Sequence, residues 1–216
     1  MRTIMVLNSK GGCGKSTIAT NLASYFAFEK ELNVVLEDFD PQGSSSDWLK
    51  ARPDYYPAIK GIRAWKENTR PSASTDIIII DAPAAVYGKD MTALVRRADT
   101  ILIPVLPSPI DIRAATQFIH DLLLQGKVSR KQTRIAVIAN RVRENTRVYH
   151  ALEIFLKSLK IPFIATLRDT QNYIRSAEQG IGIFEMAPSS VYRDLEQWEG
   201  LTRWLRSKRS QPDTKK

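Results

Sequence analysis

Three stretches of the chain gather residue types that can do chemistry. The first is Ser9–Thr17, SKGGCGKST, which runs Lys10, Gly11, Gly12, Cys13, Gly14, Lys15, Ser16 and Thr17 without interruption. Glycines let backbone N–H groups approach an anion closely, and a helix starting near Lys15 would add the partial positive charge of its N-terminus, so the run is suited to cradle phosphates. Lys15 would then reach the terminal phosphates and the Ser16 hydroxyl would face Mg2+. The general pattern G-x-x-x-x-G-K-[ST] is not met, because Ser9 stands at its first glycine. What is present is K-G-G-x-G-K-[ST], with Lys10 as a second lysine. The second stretch is VVLEDFDPQG, where Asp38 and Asp40 lie two apart and so point the same way on an extended backbone. The third is DIIIIDAPA, which sets Asp81 directly after four isoleucines, where a strand end can present a carboxylate to a phosphate-bound metal.

Each of these needs a strand to deliver it and a turn to aim it. Short runs rich in Ile and Val read as strands at Thr3–Leu7, Val34–Leu36, Ile77–Ile80, Thr100–Val105, Arg134–Ile138 and Pro162–Ala165, with helical periodicity after most of them. Ile77–Ile80 and Ile101–Val105 are continuously apolar, as expected of parallel strands covered on both faces. The pattern predicts an α/β fold, a doubly wound, mostly parallel sheet flanked by helices, with ligands at the C-terminal ends of the strands. Residues Ala51–Ser74, broken by Pro53, Pro57, Gly61 and Pro71, read as a connection holding at most a short strand or helix. Residues 1–207 are expected to form one domain and 208–216 a basic, flexible tail.

Composition excludes several classes. One cysteine, Cys13, rules out a disulfide framework and any multi-cysteine metal site within one chain, and it favours a reducing, cytoplasmic setting. No apolar run reaches the length of a membrane span, and the N-terminus lacks the pattern of a signal peptide. The formal charge is +9 and unevenly spread: residues 1–110 hold 13 basic and 12 acidic side chains, residues 111–216 hold 19 and 11.

The K-G-G-x-G-K-[ST] loop, the D-x-D-P-Q box at Asp38–Gln42 and the Asp81 strand together resemble the deviant Walker A ATPases of the ParA/MinD family, a P-loop NTPase group. The similarity extends through PVLPSPID, with Pro107, Ser108, Pro109 and Asp111, through IAVIANRVR and through ATLRDTQNYIRSAEQGIGIFE, so it covers about residues 1–187. It looks nearest to the short ParA-type partition and cargo-positioning members. Glu37 and Ala84 depart from the family pattern, which has an apolar residue and a proline at those places.

The resemblance implies ATP and ADP with Mg2+ as cofactors, and roles for particular residues. Lys15 holds the phosphates. Lys10 reaches across a homodimer to the partner's nucleotide. Asp40 orients the attacking water, Ser16, Asp38 and Asp81 serve the metal, Asn140 reads the adenine edge, and Arg168 and Asp169 close over the base. It implies an ATP-sandwiched dimer that binds nonspecific nucleoid DNA and is released when a cargo-adaptor protein stimulates hydrolysis. The DNA-facing candidates are Lys127, Arg130, Lys131, Arg141, Arg143, Arg147, Arg175, Arg203, Arg206, Lys208 and Arg209. The chain starts at its first strand, so no helix-turn-helix is expected ahead of it.

Two rival readings remain at this stage. Val191, Leu195, Trp198, Thr202 and Leu205 form a stripe at helical spacing with basic residues after it, which could lie on an anionic membrane in a MinD-like cycle or dock on the core. A small-molecule ATP-dependent ligase would use the same fold, normally without Lys10 and the D-x-D-P-Q box.

Overall fold

A computed structural model describes residues 1–124 and 132–213. Seven parallel strands form one sheet in the order β3-β2-β4-β1-β5-β6-β7. They are β1 (Arg2–Val6), β2 (Val34–Asp38), β3 (Ile59–Arg63), β4 (Ile77–Asp81), β5 (Thr100–Val105), β6 (Arg134–Val142) and β7 (Phe163–Arg168). The helices between and after them are α1 (Lys15–Phe28), α2 (Ser44–Ala51), α3 (Gly88–Val95), α4 (Pro109–Leu124), α5 (Arg147–Ser158), α6 (Asn172–Glu178) and α7 (Pro188–Arg206).

The alternation of strand side chains sorts the sheet into two cores. Met5, Ile78, Ile80, Ile135 and Val137 pack on one face beneath α3, α4 and α5, whereas Ile4, Val6, Ile77, Ile79 and Ile138 pack on the other beneath α1, α2 and α7. Every residue of β1 after Arg2, of β4 and of β5 is buried, which explains why those runs are apolar without alternation. The predicted strands all form, four of them longer than expected, and β3 is added from the connecting region. Its sequence, IKGIR, buries only Ile62 because it is an edge strand with one neighbour and exposed charges.

The C-terminal stripe docks on the core. Trp198, Leu201 and Leu205 are fully buried in the second core, and the Trp198 indole donates to the Tyr173 hydroxyl at 2.8 Å. Truncating such a side chain typically costs about 3–5 kcal/mol, so α7 is a structural helix of the domain. Packing also continues past residue 207. Ser210 is fully buried and accepts from Arg2 Nη2 at 2.8 Å, and Arg134 Nε donates to the Gln211 carbonyl at 3.0 Å. No helix of the described residues is long and apolar enough to cross a membrane.

Candidate nucleotide site

Because all seven strands run the same way, their C-terminal ends share one edge, and the residues singled out by type and spacing collect there. β1 ends into the glycine loop. Gly12 and Gly14 adopt left-handed φ values of 74° and 89°, and Gly14 sits at the N-terminus of α1. A Cβ on Gly14 would come within 2.2 Å of Asn140 Nδ2, so both its backbone and its lack of a side chain are needed. Asn8 staples the start of the loop, donating from Nδ2 to the Pro104 carbonyl at 2.7 Å and accepting from the Lys10 amide at 3.1 Å.

Within the loop the two lysines differ. Lys15 is buried and its Nζ donates to the Lys10 carbonyl at 3.2 Å, which holds a cation in the hollow of the loop. Lys10 is half-buried, with its backbone fixed by Asn8, Lys15 and the Cys13 thiol, while its own ammonium has no partner among the described residues. Cys13 is buried and burial pushes its thiol pKa up, so the thiolate that a helix N-terminus could have favoured is not favoured here.

The carboxylates occupy adjacent strands. Asp38 ends β2, Asp81 ends β4, and the two are direct register partners. Each is met by a serine of the first turn of α2. Ser46 donates to Asp38 Oδ2 from its backbone N–H at 3.0 Å and its hydroxyl at 2.7 Å, and the Ser45 hydroxyl donates to Asp81 Oδ2 at 2.9 Å. β2 stops at Asp38, so the extended alternation does not carry to Asp40. Asp38 is buried against α2, while Asp40 is half-buried and accepts from the Gln42 amide at 3.0 Å, shaping the turn through Gly43.

Asp81 is the least comfortable group of the site. It is fully buried, its Oδ1 has no hydrogen-bond partner, and its pKa is pushed up to about 6 by burial, with Asp38 acting in the same direction and Ser16, Ser45 and Lys15 opposing. A divalent cation beside it would satisfy the orphaned oxygen and favour the carboxylate. Among the described residues no group of three or more His, Cys, Asp or Glu is placed to hold a metal. Mg2+ needs no such cage, since it keeps waters and takes most other oxygens from phosphates, so Asp81 and Ser16 fit it.

Beyond the loop lies a cavity of about 280 Å3, bounded by Gly14 and Thr17 on one side, Asn140, Arg141, Arg168 and Asp169 from β6, β7 and the turn after it, and the side chains of α6. Asn140 is buried and donates from Nδ2 to the Cys13 carbonyl at 2.8 Å, leaving Oδ1 to accept. Arg168 lines the cavity, but its guanidinium is engaged by buried Asp194 at 2.5 and 3.0 Å. Asp169 pairs with Arg143 at 3.1 Å.

A loop with this lysine pair, two carboxylate strands and a cavity beside it suits a nucleotide, and comparison with known proteins agrees. The CobQ/CobB/MinD/ParA nucleotide binding domain matches residues 4–183. The chain belongs to this family. Within it, the chain is similar to the maintenance of carboxysome distribution protein A of Halothiobacillus neapolitanus, 28% identical over 196 residues that cover 85% of this chain and 87% of that protein. Among solved structures its fold is similar to an ATP complex of McdA from Cyanothece, with a TM-score of 0.72, 18% identity and coverage of 94% and 96%. It is also similar to MinD complexed with Mg-ADP from Pyrococcus horikoshii, with a TM-score of 0.71, 18% identity and coverage of 95% and 96%.

For a CobQ/CobB/MinD/ParA domain, then, the structure brings Gly11–Thr17, Asp38, Asp81 and Asn140 to one strand edge, with Asp40 on the turn beside them. Sequence reasoning missed Asn8, and it gave no partner to Ser45 and Ser46. The signal for the serines was present in the SSS run, but which carboxylate each would meet depends on the β2–β4 register. Glu37, the departure from pattern, is buried and bonded to Arg97 Nη2 at 2.6 Å, with burial raising its pKa against the pull of that arginine. The Arg97 guanidinium also lies 4.9 Å from the Phe39 ring centroid, so the pair backs the turn that carries Asp40.

Proposed function

We propose that the chain is a ParA-type ATPase that forms an ATP-sandwiched homodimer, binds nonspecific DNA in that state, and positions or segregates a cargo until partner-stimulated hydrolysis releases it. The observation that carries this reading is Lys10. Its backbone is anchored at both the N–H and the carbonyl, yet its ammonium faces no carboxylate among the described residues, as suits a group whose counter-charge is a phosphate on another subunit.

Lys15 and the loop N–H groups would bind the phosphates, and Ser16 and Asp81 would hold Mg2+, which when bound supplies charge to offset the developing negative charge on the transferred group. Asp40, half-buried on a turn, would place water in line. Asp38 would keep α2 and that turn in position through Ser46. Asn140 would accept from the exocyclic amine of adenine.

For DNA, Arg147, Arg175, Lys208 and Arg209 are exposed, whereas Arg143 and Arg203 are paired with Asp169 and Glu199. Lys127, Arg130 and Lys131 lie outside the described residues. Such a surface supports salt-dependent nucleoid association. The similarity to a carboxysome distribution protein supports a protein assembly as cargo, with a plasmid as the alternative that partition ATPases suggest. MinD-like membrane cycling gains no support from α7, whose apolar stripe is packed on the core. The test is ATP turnover and DNA retention measured together. DNA retention should require ATP and fall steeply with salt, and turnover should rise with DNA and adaptor. Turnover that needs a small-molecule acceptor would instead indicate a ligase.

A further inference from the structure

Four arginines lie near this cavity, and they are engaged to different degrees. The family resemblance gives Arg168 to the nucleotide, and it lines the cavity, but its Nε and Nη2 are taken up by buried Asp194. Arg143 is held by Asp169, and Arg175 is exposed on α6 and does not line the cavity. Arg141, assigned to the DNA surface, does line it, beside Gly14 and Thr17.

What turns Arg141 there is a bulge. Along a regular strand Asn140 and Arg141 would face opposite sides of the sheet. In the pairing of β6 with β7, however, Ala139 matches Thr166 and Val142 matches Arg168, so two residues of β6 face one of β7. Arg141 takes up the extra residue with a left-handed φ of 52°, a conformation that costs a non-glycine residue energy and clusters at functional sites. Asn140 and Arg141 then both approach the glycine loop, with Asn140 on the Cys13 carbonyl at 2.8 Å and Arg141 Nη1 at 3.5 Å from the Gly12 carbonyl. Arg141 makes no ion pair among the described residues, leaving most of its five N–H donors open over a loop built for phosphates.

We propose that Arg141 is a ligand of the nucleotide's phosphate chain, placed by the β6 bulge, and not part of the DNA surface. This rests on the nucleotide reading of the site. Calorimetric titration of the full chain with Mg-ADP and with Mg-pyrophosphate tests it, using Arg141→Ala, Arg141→Lys and Arg141→Gly. The glycine variant suits the left-handed backbone, so a loss it shares with alanine comes from the missing guanidinium. ADP and pyrophosphate affinity should both fall about tenfold in the alanine and glycine variants, with lysine intermediate. At saturating ATP, DNA retention should equal that of the wild type. Unchanged ADP affinity in both truncations overturns the proposal. So does a loss for ADP without one for pyrophosphate, which would mark a contact to the nucleoside, and so does a loss of DNA retention with ADP affinity intact. A wild-type chain that binds neither ligand overturns this proposal and the reading beneath it together.

Discussion

The two ends of the nucleotide site are built in different ways. At the phosphate and metal end, Lys10, Lys15, Ser16, Asp38 and Asp81 come from contiguous motifs, each at the end of a buried parallel strand or in the loop that follows it. At the base end, Asn140 lies at a bulge in β6, and Arg168 and Asn172 depend on Asp194, more than twenty residues away on α7. The first end is made by local backbone geometry, the second by long-range pairing. Substitutions should therefore cost binding at the first end and folding or selectivity at the second.

The sharpest test of that contrast is Lys15→Ala. Removing the one cation buried within the loop should lower ATP affinity by about a thousandfold with little change in stability, measured by calorimetry and by urea unfolding. A loss below tenfold would mean that the base end alone sustains binding. Asp194→Ala should do the reverse. It leaves Arg168 and Asn172 without their carboxylate, and after discounting for the partial solvent exposure of Arg168 the loss in unfolding free energy should be about 2–4 kcal/mol.

Asp81→Asn should separate function from stability within a single residue. Burial raises the carboxyl pKa to about 6, so between about pH 4 and 6 the folded chain holds a proton that the unfolded chain has released. Stability from this group therefore falls as pH rises through that window and is level above it. At pH 7 without metal, asparagine should raise unfolding free energy by about 3 kcal/mol and remove that pH dependence, while abolishing Mg2+-dependent hydrolysis. In the wild type, Mg2+-dependent binding should weaken as pH falls below about 6. A destabilised Asp81→Asn chain would show that the carboxylate is satisfied without a cation.

Asn140→Ala should weaken ATP by about tenfold and narrow the preference for ATP over GTP, a smaller loss than at the loop because one neutral hydrogen bond is removed. Arg143→Ala, which removes an exposed pair with Asp169, should change stability by less than about 0.5 kcal/mol. A larger effect would mean that the base end is held more by its surface than by Asp194.

The same contrast explains what could be read from the residues alone. The parallel sheet was legible because Ile77–Ile80 and Thr100–Val105 are apolar on both faces, and the loop was legible because glycines and lysines sit at set spacing after a strand. β3 was not, since IKGIR has only one neighbour to pair with and little to bury. That Asp38 meets the first turn of α2 through Ser46 was not legible either, because the contact depends on how the turn after β2 seats that helix. The bulge at Arg141 and the pairing of Arg168 with Asp194 were hidden because neither a bulge nor the partner of a buried carboxylate is written in local sequence.

The central claim is that Lys10 completes the site of a second subunit. Light scattering of the full chain with Mg-ATP, with Mg-ADP and without nucleotide tests it most directly, alongside Lys10→Ala. The account predicts a dimer with ATP alone, and a Lys10→Ala chain that still binds ATP but stays monomeric. A wild-type chain that stays monomeric with ATP, or a Lys10→Ala chain that dimerises with it normally, would contradict it.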